Sequence, residues 1–260
     1  LILPSPFDLG HGKPWCIAHR GYSALYPENS YCAFDAALEQ GAQAMELDVR
    51  PSREGVPVIF HDEGLEKVGG KPGLFVTQPL AALQGLDYGA WHSARFRGQE
   101  LPLLDDVLCR YGKRCYLLVE IKSDEASGDR AQREALMAAT LAAVERQQLL
   151  QRTFVLCFDL ELLAHGRHLN PEARFVLNQD HGCIQRGADF LYAYSVAIEG
   201  LEPDFARSVQ QLDKPVFTYT CNSRQAFDKA IACGANGIMA DDPKLLTERL
   251  LALKASRRTD

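Results

Sequence analysis

The sequence predicts an α/β protein in which eight parallel strands, each followed by a helix, close into a barrel. Three observations carry that expectation. Short β-like runs alternate with amphipathic stretches almost from end to end, the pattern of βα units and a parallel sheet. One connection is too short to join parallel strands, which reduces nine candidate strands to eight. The length, 260 residues, is common for a single α/β barrel.

In chain order, the runs read as strands are Trp15–His19, Ala44–Val49, Pro57–His61, Cys115–Ile121 and Thr153–Cys157, then Arg174–Asn178, Asp189–Tyr194, Val216–Thr220 and Gly237–Ala240. Helical spacing covers Ser30–Gln40, Leu103–Tyr111, Gln132–Gln148, Leu160–His168, Phe205–Gln211, Ser223–Cys233 and Pro243–Lys254. Seven residues separate Val49 from Pro57, whereas a parallel crossover needs about a dozen. These two runs therefore form a hairpin, with the second returning antiparallel above the barrel rim. A two-residue turn at Glu54-Gly55 places His61 opposite Asp48. The remaining eight strands make a TIM (β/α)8 barrel, and residues 1–260 read as one domain. Residues 62–114 break the repeat, with five Gly before Tyr88, the aromatics Phe75, Tyr88, Trp91 and Phe96, and one helical signal at Pro79–Leu86. They are expected to form a small insertion, or lid, over the C-terminal face.

Composition narrows the function. Lys and Arg number 28 against 34 Asp and Glu, a net charge of −6, which argues against general nucleic-acid binding. The longest nearly apolar run, Ala135 to Val144, is half a membrane span and ends at Glu145 and Arg146, so no stable membrane insertion is expected. Pro4, Pro6, Asp8 and Gly10 break up the start, which lacks a charged-then-apolar signal segment, and a cytoplasmic location follows as the expectation. None of the eight cysteines forms a C-x-x-C pair, and most lie in apolar runs such as Trp15-Cys16-Ile17-Ala18, as reduced, buried thiols do. The oligomeric state stays open.

Barrel enzymes carry their chemistry at the C-terminal strand ends. Those ends read His19-Arg20-Gly21, Glu46-x-Asp48, His61-Asp62, Glu120-x-Lys122 and Tyr219-x-x-Asn222. Alternation puts Glu46 and Asp48 on one face of their strand, and Glu120 and Lys122 on one face of theirs. Three carboxylates then converge, and like charges so close raise one another's pKa unless a cation is present. An all-oxygen set suits Mg2+, Ca2+ or Mn2+. His19 and His61 frame the cluster as a candidate acid/base pair, since imidazole titrates near neutrality. Arg20 and Lys122 suit an anionic substrate, a phosphate above all. Together these groups describe metal-assisted phosphoryl transfer. Singly, each has a plainer reading: a hydrogen-bonded structural histidine, a solvated strand end, or a surface ion pair worth at most about 1 kcal/mol. Their convergence on one rim favours chemistry. His11, His92, His165, His168 and His181 read as structural or surface residues. Pro27-Glu28-Asn29-Ser30 reads as a helix start with Asn29 or Ser30 as N-cap.

The ordered set Ala18-His19-Arg20-Gly21, Pro27-Glu28-Asn29-Ser30, Glu46-Leu47-Asp48-Val49, His61-Asp62 and Glu120-Ile121-Lys122 resembles the glycerophosphodiester phosphodiesterases. Leu86-Asp87-Tyr88-Gly89 with Trp91, Leu101-Pro102-x-Leu104, and Gly234-Ala235-Asn236-Gly237-Ile238 before Asp241-x-Pro243 extend the resemblance over roughly residues 15–250. The resemblance implies a TIM barrel with a small insertion. It also implies metal-dependent hydrolysis of glycerophosphodiesters to sn-glycerol 3-phosphate and an alcohol. By the same resemblance, Glu46, Asp48 and Glu120 bind a divalent cation (Mg2+ or Ca2+, with Mn2+ as a further candidate). His19 and His61 are the acid/base pair, Arg20 and Lys122 hold phosphate oxygens, and Glu28 and Asn29 support the His19-Arg20 loop, with Asn29 a further candidate to reach the metal. The chain departs from the family at Tyr219, where Trp is usual, and at Ala240, where Thr is usual. Two alternatives stand beside this reading. One is a lysophospholipase D with an acyl groove at Phe75, Trp91 and Phe96; the other is a non-catalytic barrel that binds phosphodiesters.

Overall fold

The structure, a computed structural model, describes residues 14–69, 72–124 and 127–256; the readings of Pro4, Pro6, Asp8, Gly10 and His11 lie outside them. The elements run β1 (Trp15–His19), α1 (Tyr31–Glu39), β2 (Ala44–Pro51), β3 (Pro57–Ile59), α2 (Glu66–Gly69), α3 (Leu80–Leu83), α4 (Leu104–Tyr111), β4 (Tyr116–Ile121) and α5 (Arg130–Arg146). They continue as β5 (Thr153–Cys157), α6 (Leu160–Leu169), β6 (Arg174–His181), β7 (Ala193–Gly200), α7 (Pro203–Gln210), β8 (Val216–Tyr219), α8 (Arg224–Ala232), β9 (Gly237–Ala240) and α9 (Pro243–Ser256).

Eight strands pair in parallel in the order β1, β2, β4, β5, β6, β7, β8, β9, and β9 returns to β1 to close the expected TIM barrel. Alternation sorts the side chains into two cores. Ile17, Ala44, Leu118, Phe154, Val176 and Phe217 belong to the cluster that fills the barrel. Met45, Leu47, Val49, Leu117 and Val119 face outward and pack with Phe34, Leu104, Leu136 and other helix residues. A strand buried on both faces has a near-continuous apolar sequence, as β4 does until Glu120. Among the described residues no helix is long and apolar enough to cross a membrane. All eight cysteines are free; Cys16, Cys115, Cys157, Cys221 and Cys233 are buried, Cys32 is half-buried, and Cys109 and Cys183 are exposed.

The hairpin is present, but its register differs by one from the expectation. Val49 pairs with Ile59 and Pro51 with Pro57, so Phe60, not His61, faces Asp48, with Phe60 N donating to Asp48 O at 3.0 Å. The loop holds three residues rather than two: Ser52 N donates to Val56 O across it, and Gly55 takes φ +81°. A left-handed third position is what a three-residue hairpin loop requires, and Gly supplies it without strain. β3 finds its place because β1 stops pairing with β2 at Glu46, leaving that edge of β2 open above the rim.

β7 also differs. It begins at Ala193 rather than Asp189 and runs to Gly200, beside a β6 extended to His181. Residues before it make a turn, with Leu191 N bonded to Ala188 O, although Leu191 is buried. Apolar character there marks burial, not strand pairing. The 62–114 excursion divides in two. Phe75, Leu83, Tyr88 and Leu101 gather with Val58 and Phe60 in a small core of their own, with Phe60 stacked on Phe75 at 4.3 Å. α4 instead joins the outer helical ring, where Tyr111 meets Phe34 edge-on at 5.6 Å.

Candidate active site

The C-terminal end of β1 supplies the first site residues. His19 is the last residue paired with β2, opposite Glu46. The chain then turns through two left-handed residues, Arg20 (φ 56°) and Gly21 (φ 81°). A Cβ on Gly21 would stand 2.7 Å from the Ala33 carbonyl carbon, so only glycine lets the loop press against α1. Arg20 N donates to Glu46 O and Asn29 N to Arg20 O, both at 3.0 Å, which joins the loop to the Pro27–Ser30 segment. Ser30 is the N-cap of α1 and accepts from Ala33 N. Asn29, left-handed at φ 55°, is thereby free to turn inward: its Nδ2 donates to Asp48 Oδ2 at 2.7 Å and its Oδ1 accepts from Asp48 N at 3.3 Å. The bland and the functional readings of this motif thus fall on neighbouring residues.

Glu46, Asp48 and Glu120 converge as expected, with one carboxylate oxygen from each lying within 4.8 Å of the others. Glu46 is 2% exposed and Asp48 1%. Lys122 Nζ lies 2.8 Å from Asp48 Oδ1 and 2.5 Å from Glu120 Oε1. Arg20 Nε is 3.1 Å from Asp48 Oδ2, an ion pair whose N–H is not aligned for a hydrogen bond. Asn178 Nδ2 donates to Glu120 Oε2 at 3.0 Å. Glu46 is served less well. Its Oε2 accepts from Arg20 N at 3.2 Å, and its Oε1 is buried without a partner.

The electrostatics follow from this division. Burial pushes the Asp48 carboxyl up, but Lys122 and Arg20 outweigh it and hold the group well below the usual carboxylate range. Burial, with Asp48 and Glu120 alongside, pushes Glu46 well above that range. Burial opposes the charge on Arg20 and Lys122, yet Asp48 and its acidic neighbours keep both firmly protonated.

Both histidines are oriented by carboxylates. His19 Nδ1 donates to Asp241 Oδ1 at 2.6 Å, and its Nε2 points inward, 3.9 Å from Glu46 Oε2. Asp241 is held in turn by Ser23 Oγ at 3.1 Å and Asn222 Nδ2 at 2.5 Å. Burial raises the Asp241 carboxyl, but the His19 bond prevails and lowers it. His61 Nδ1 donates to Asp62 Oδ1 at 2.9 Å, and that bond is the main reason Asp62 drops to about 2. Lys67 Nζ bridges Asp62 (3.4 Å) and Glu28 (2.8 Å), and Glu28 reaches Arg20 Nη1 at 3.4 Å. Glu28 therefore links the His19-Arg20 loop to the His61 segment. Tyr219 donates its hydroxyl to Gln179 O at 2.9 Å and meets Phe158 edge-on, so its ring stands over the barrel mouth with its polar end already engaged.

Asp241, Asp62, Asn178 and Lys67 were not among the expected site residues. Asp241 directly follows β9, and Asn178 ends the run Arg174–Asn178 read as a strand, the positional signal that singled out the others. Lys67 lies in α2 and carried no such signal.

A barrel whose mouth surrounds buried carboxylates with fixed cations and two oriented imidazoles is the architecture of an enzyme acting on an anionic ester. The chain belongs to the glycerophosphoryl diester phosphodiesterase family, whose profile matches residues 19–245, and it is an enzyme of that class. A glycerophosphodiester phosphodiesterase of Caldanaerobacter subterraneus subsp. tengcongensis is 26% identical over 239 residues, covering 90% of this chain and 96% of that protein. The structure of an Oleispira antarctica phosphodiesterase in complex with the product sn-glycerol-3-phosphate superimposes with a TM-score of 0.81 at 25% identity, covering 92% of this chain and 97% of that one. A glycerophosphodiester phosphodiesterase from Agrobacterium tumefaciens shares the fold, with a TM-score of 0.74 at 24% identity over 88% of this chain and 97% of its own.

Proposed function

We propose that this protein hydrolyses glycerophosphodiesters to sn-glycerol 3-phosphate and an alcohol, with a divalent cation held by Glu46, Asp48 and Glu120. The observation that carries the reading is Glu46 Oε1: a buried carboxylate oxygen without a partner, beside two further carboxylates, in a side chain whose other oxygen lies 3.9 Å from His19 Nε2. An orphaned oxygen in an all-oxygen cluster fits a hard cation such as Mg2+, Ca2+ or Mn2+. When bound, the cation supplies Lewis-acid polarisation of a phosphoryl oxygen.

The chain's own residues do the rest. Arg20 and Lys122, kept protonated by their acidic neighbours, bind phosphate oxygens and stabilise the charge that builds on them. His19 and His61 divide the proton transfers. One takes the proton of the nucleophile (water or the neighbouring glycerol hydroxyl), and the other gives a proton to the leaving alkoxide. Asp241 and Asp62 keep Nδ1 of each ring protonated, so that Nε2 is the atom offered to substrate. Asn29 orients Asp48, Glu28 spaces Arg20 from the His61 segment, and Tyr219 walls the alcohol or glycerol pocket. Residues 1–260 act as one barrel domain, with the 62–114 excursion bringing Trp91, 36% exposed, to the His61 side. Eight free thiols suit a reducing compartment such as the cytoplasm.

Of the three aromatics expected to line an acyl groove, Phe75 and Phe96 are buried in packing and Trp91 is 36% exposed, which favours diesters without an acyl chain. Release of glycerol 3-phosphate from glycerophosphocholine with Mg2+ or Ca2+ tests the assignment, with lysophosphatidylcholine as competitor. His19→Ala and His61→Ala should each lose activity, and full turnover in both variants would refute the proposal.

A further inference from the structure

Arg50 is a charged side chain that the reaction does not use, yet it is 2% exposed. It follows Asp48 by two residues and so extends from the same face of β2 as the carboxylates. Its guanidinium makes four hydrogen bonds. Nε donates to the His61 carbonyl at 2.8 Å, Nη1 to Asp124 Oδ1 at 3.0 Å and Ser127 Oγ at 2.7 Å, and Nη2 to Asp124 Oδ2 at 2.7 Å. Ser127 Oγ also donates to Asp124 Oδ1 at 2.9 Å, so the acceptors are themselves tied together. The partners come from two segments, one carrying His61 and the other following Lys122 by two residues.

The His61 segment needs such a tether. β3 ends at Ile59, and Phe60 N makes the last bond to the β2 main chain, at Asp48 O. His61 lies beyond the ladder, and its carbonyl is taken by the Arg50 side chain. The main chain of Lys122, by contrast, is held independently, its N donating to Val49 O at 3.2 Å. We propose that Arg50 is a positioning residue for catalysis: clamped by Asp124 and Ser127, its guanidinium fixes the main chain at His61 and so the distance of that imidazole from the phosphate site. This rests on the acid/base role proposed for His61. A forked, planar donor suits the task because it binds a carboxylate with two nitrogens while aiming its third at a carbonyl.

The test is a double-mutant cycle. Arg50→Lys keeps the charge but not the fork. It should lower kcat on glycerophosphocholine by about 10–100-fold, the scale of a misplacement near 1 Å, and leave KM within about twofold. In a His61→Ala background the same substitution should change kcat by less than about twofold, because the group it positions is gone. Ser127→Ala, which removes one acceptor and no charge, should follow the same pattern with a smaller loss, and it carries the cycle should Arg50→Lys not fold. Equal losses in both backgrounds, or a rise in KM with kcat unchanged, would overturn the positioning role while leaving the function intact. Full activity of His61→Ala by itself would instead remove the role of His61, and this proposal with it.

Discussion

Replacing Asp241 by Asn changes one atom and leaves volume and main chain alone, yet it should nearly silence His19. In the native site His19 Nδ1 at 2.6 Å and Asn222 Nδ2 at 2.5 Å donate to the carboxylate, and the single hydroxyl hydrogen of Ser23 is shared between Asp241 at 3.1 Å and the His19 carbonyl at 2.8 Å. The introduced amide can accept at one end only. Its carbonyl is drawn to Asn222 Nδ2, because Asn222 Oδ1 is already committed to Asp241 N at 3.0 Å. The NH2 group then faces His19 Nδ1 and donates to it, which forces the imidazole proton onto Nε2, the wrong tautomer for accepting a proton from substrate. A positioned acid/base group is worth about 10²–10⁴-fold, or about 3–5 kcal/mol of activation free energy, and kcat should fall by that factor. KM should change little, because Arg20 and Lys122 are untouched. The fold should lose only about 1 kcal/mol, the net worth of a hydrogen bond. The assay is steady-state release of glycerol 3-phosphate across pH, with thermal melting alongside. A variant within about threefold of the parent kcat would refute the argument that Asp241 sets the tautomer.

Other expectations can be checked as directly. Gly21→Ala adds a Cβ at 2.7 Å from Ala33 to a residue at φ +81°; it should cost about 1–3 kcal/mol by denaturant melting and lower activity as the His19-Arg20 loop shifts. Asp62 sits at about 2, so its ionised form stabilises the fold fully above its unfolded value of about 3.9, and that contribution is lost as pH falls toward about 2. Asp62→Asn should therefore narrow its stability gap to the parent as urea midpoints are measured from pH about 4 to about 2; a constant gap would contradict this. Glu46 has the opposite sign. Its raised value means that the ionised form costs stability as pH rises above the unfolded value, so Glu46→Gln without metal should melt higher than the metal-free parent at neutral pH. Mg2+, Ca2+ or Mn2+ at 100 times its Kd should stabilise the parent by about 2.7 kcal/mol, and Glu46→Gln should lose most of that shift. Chelation should abolish parental turnover, and metal-independent melting and turnover would count against the cation site.

Much of the site is legible in the chain because a barrel converts strand ends into a rim. One rule about C-terminal strand ends singles out His19, Glu46, Asp48, Glu120 and Lys122, and the structure brings them together at one barrel mouth. What escapes that rule is pairing across distance. Asp241 follows the last strand, 222 residues from the histidine it orients, and no local pattern announces their bond. Asn29 and Ser30 are both acceptable caps, and only the left-handed backbone at Asn29 decides which one turns toward Asp48.

The sequence by itself determined the barrel, the hairpin on its second strand and the candidate reactive groups, because alternation, loop length and side-chain chemistry are local properties. Tertiary structure alone decided the hairpin register, through the left-handed Gly55 that makes a three-residue loop and sets Phe60 opposite Asp48. It also decided where β7 begins, since the apolar residues before Ala193 are buried in a turn rather than a ladder. Above all it decided the charge balance at the mouth. Two carboxylates are compensated by Lys122, Arg20 and Asn178, and one oxygen of Glu46 is left buried and unpaired. A pKa and an oxygen without a donor depend on distances between segments far apart in the chain, and folding is what sets those distances.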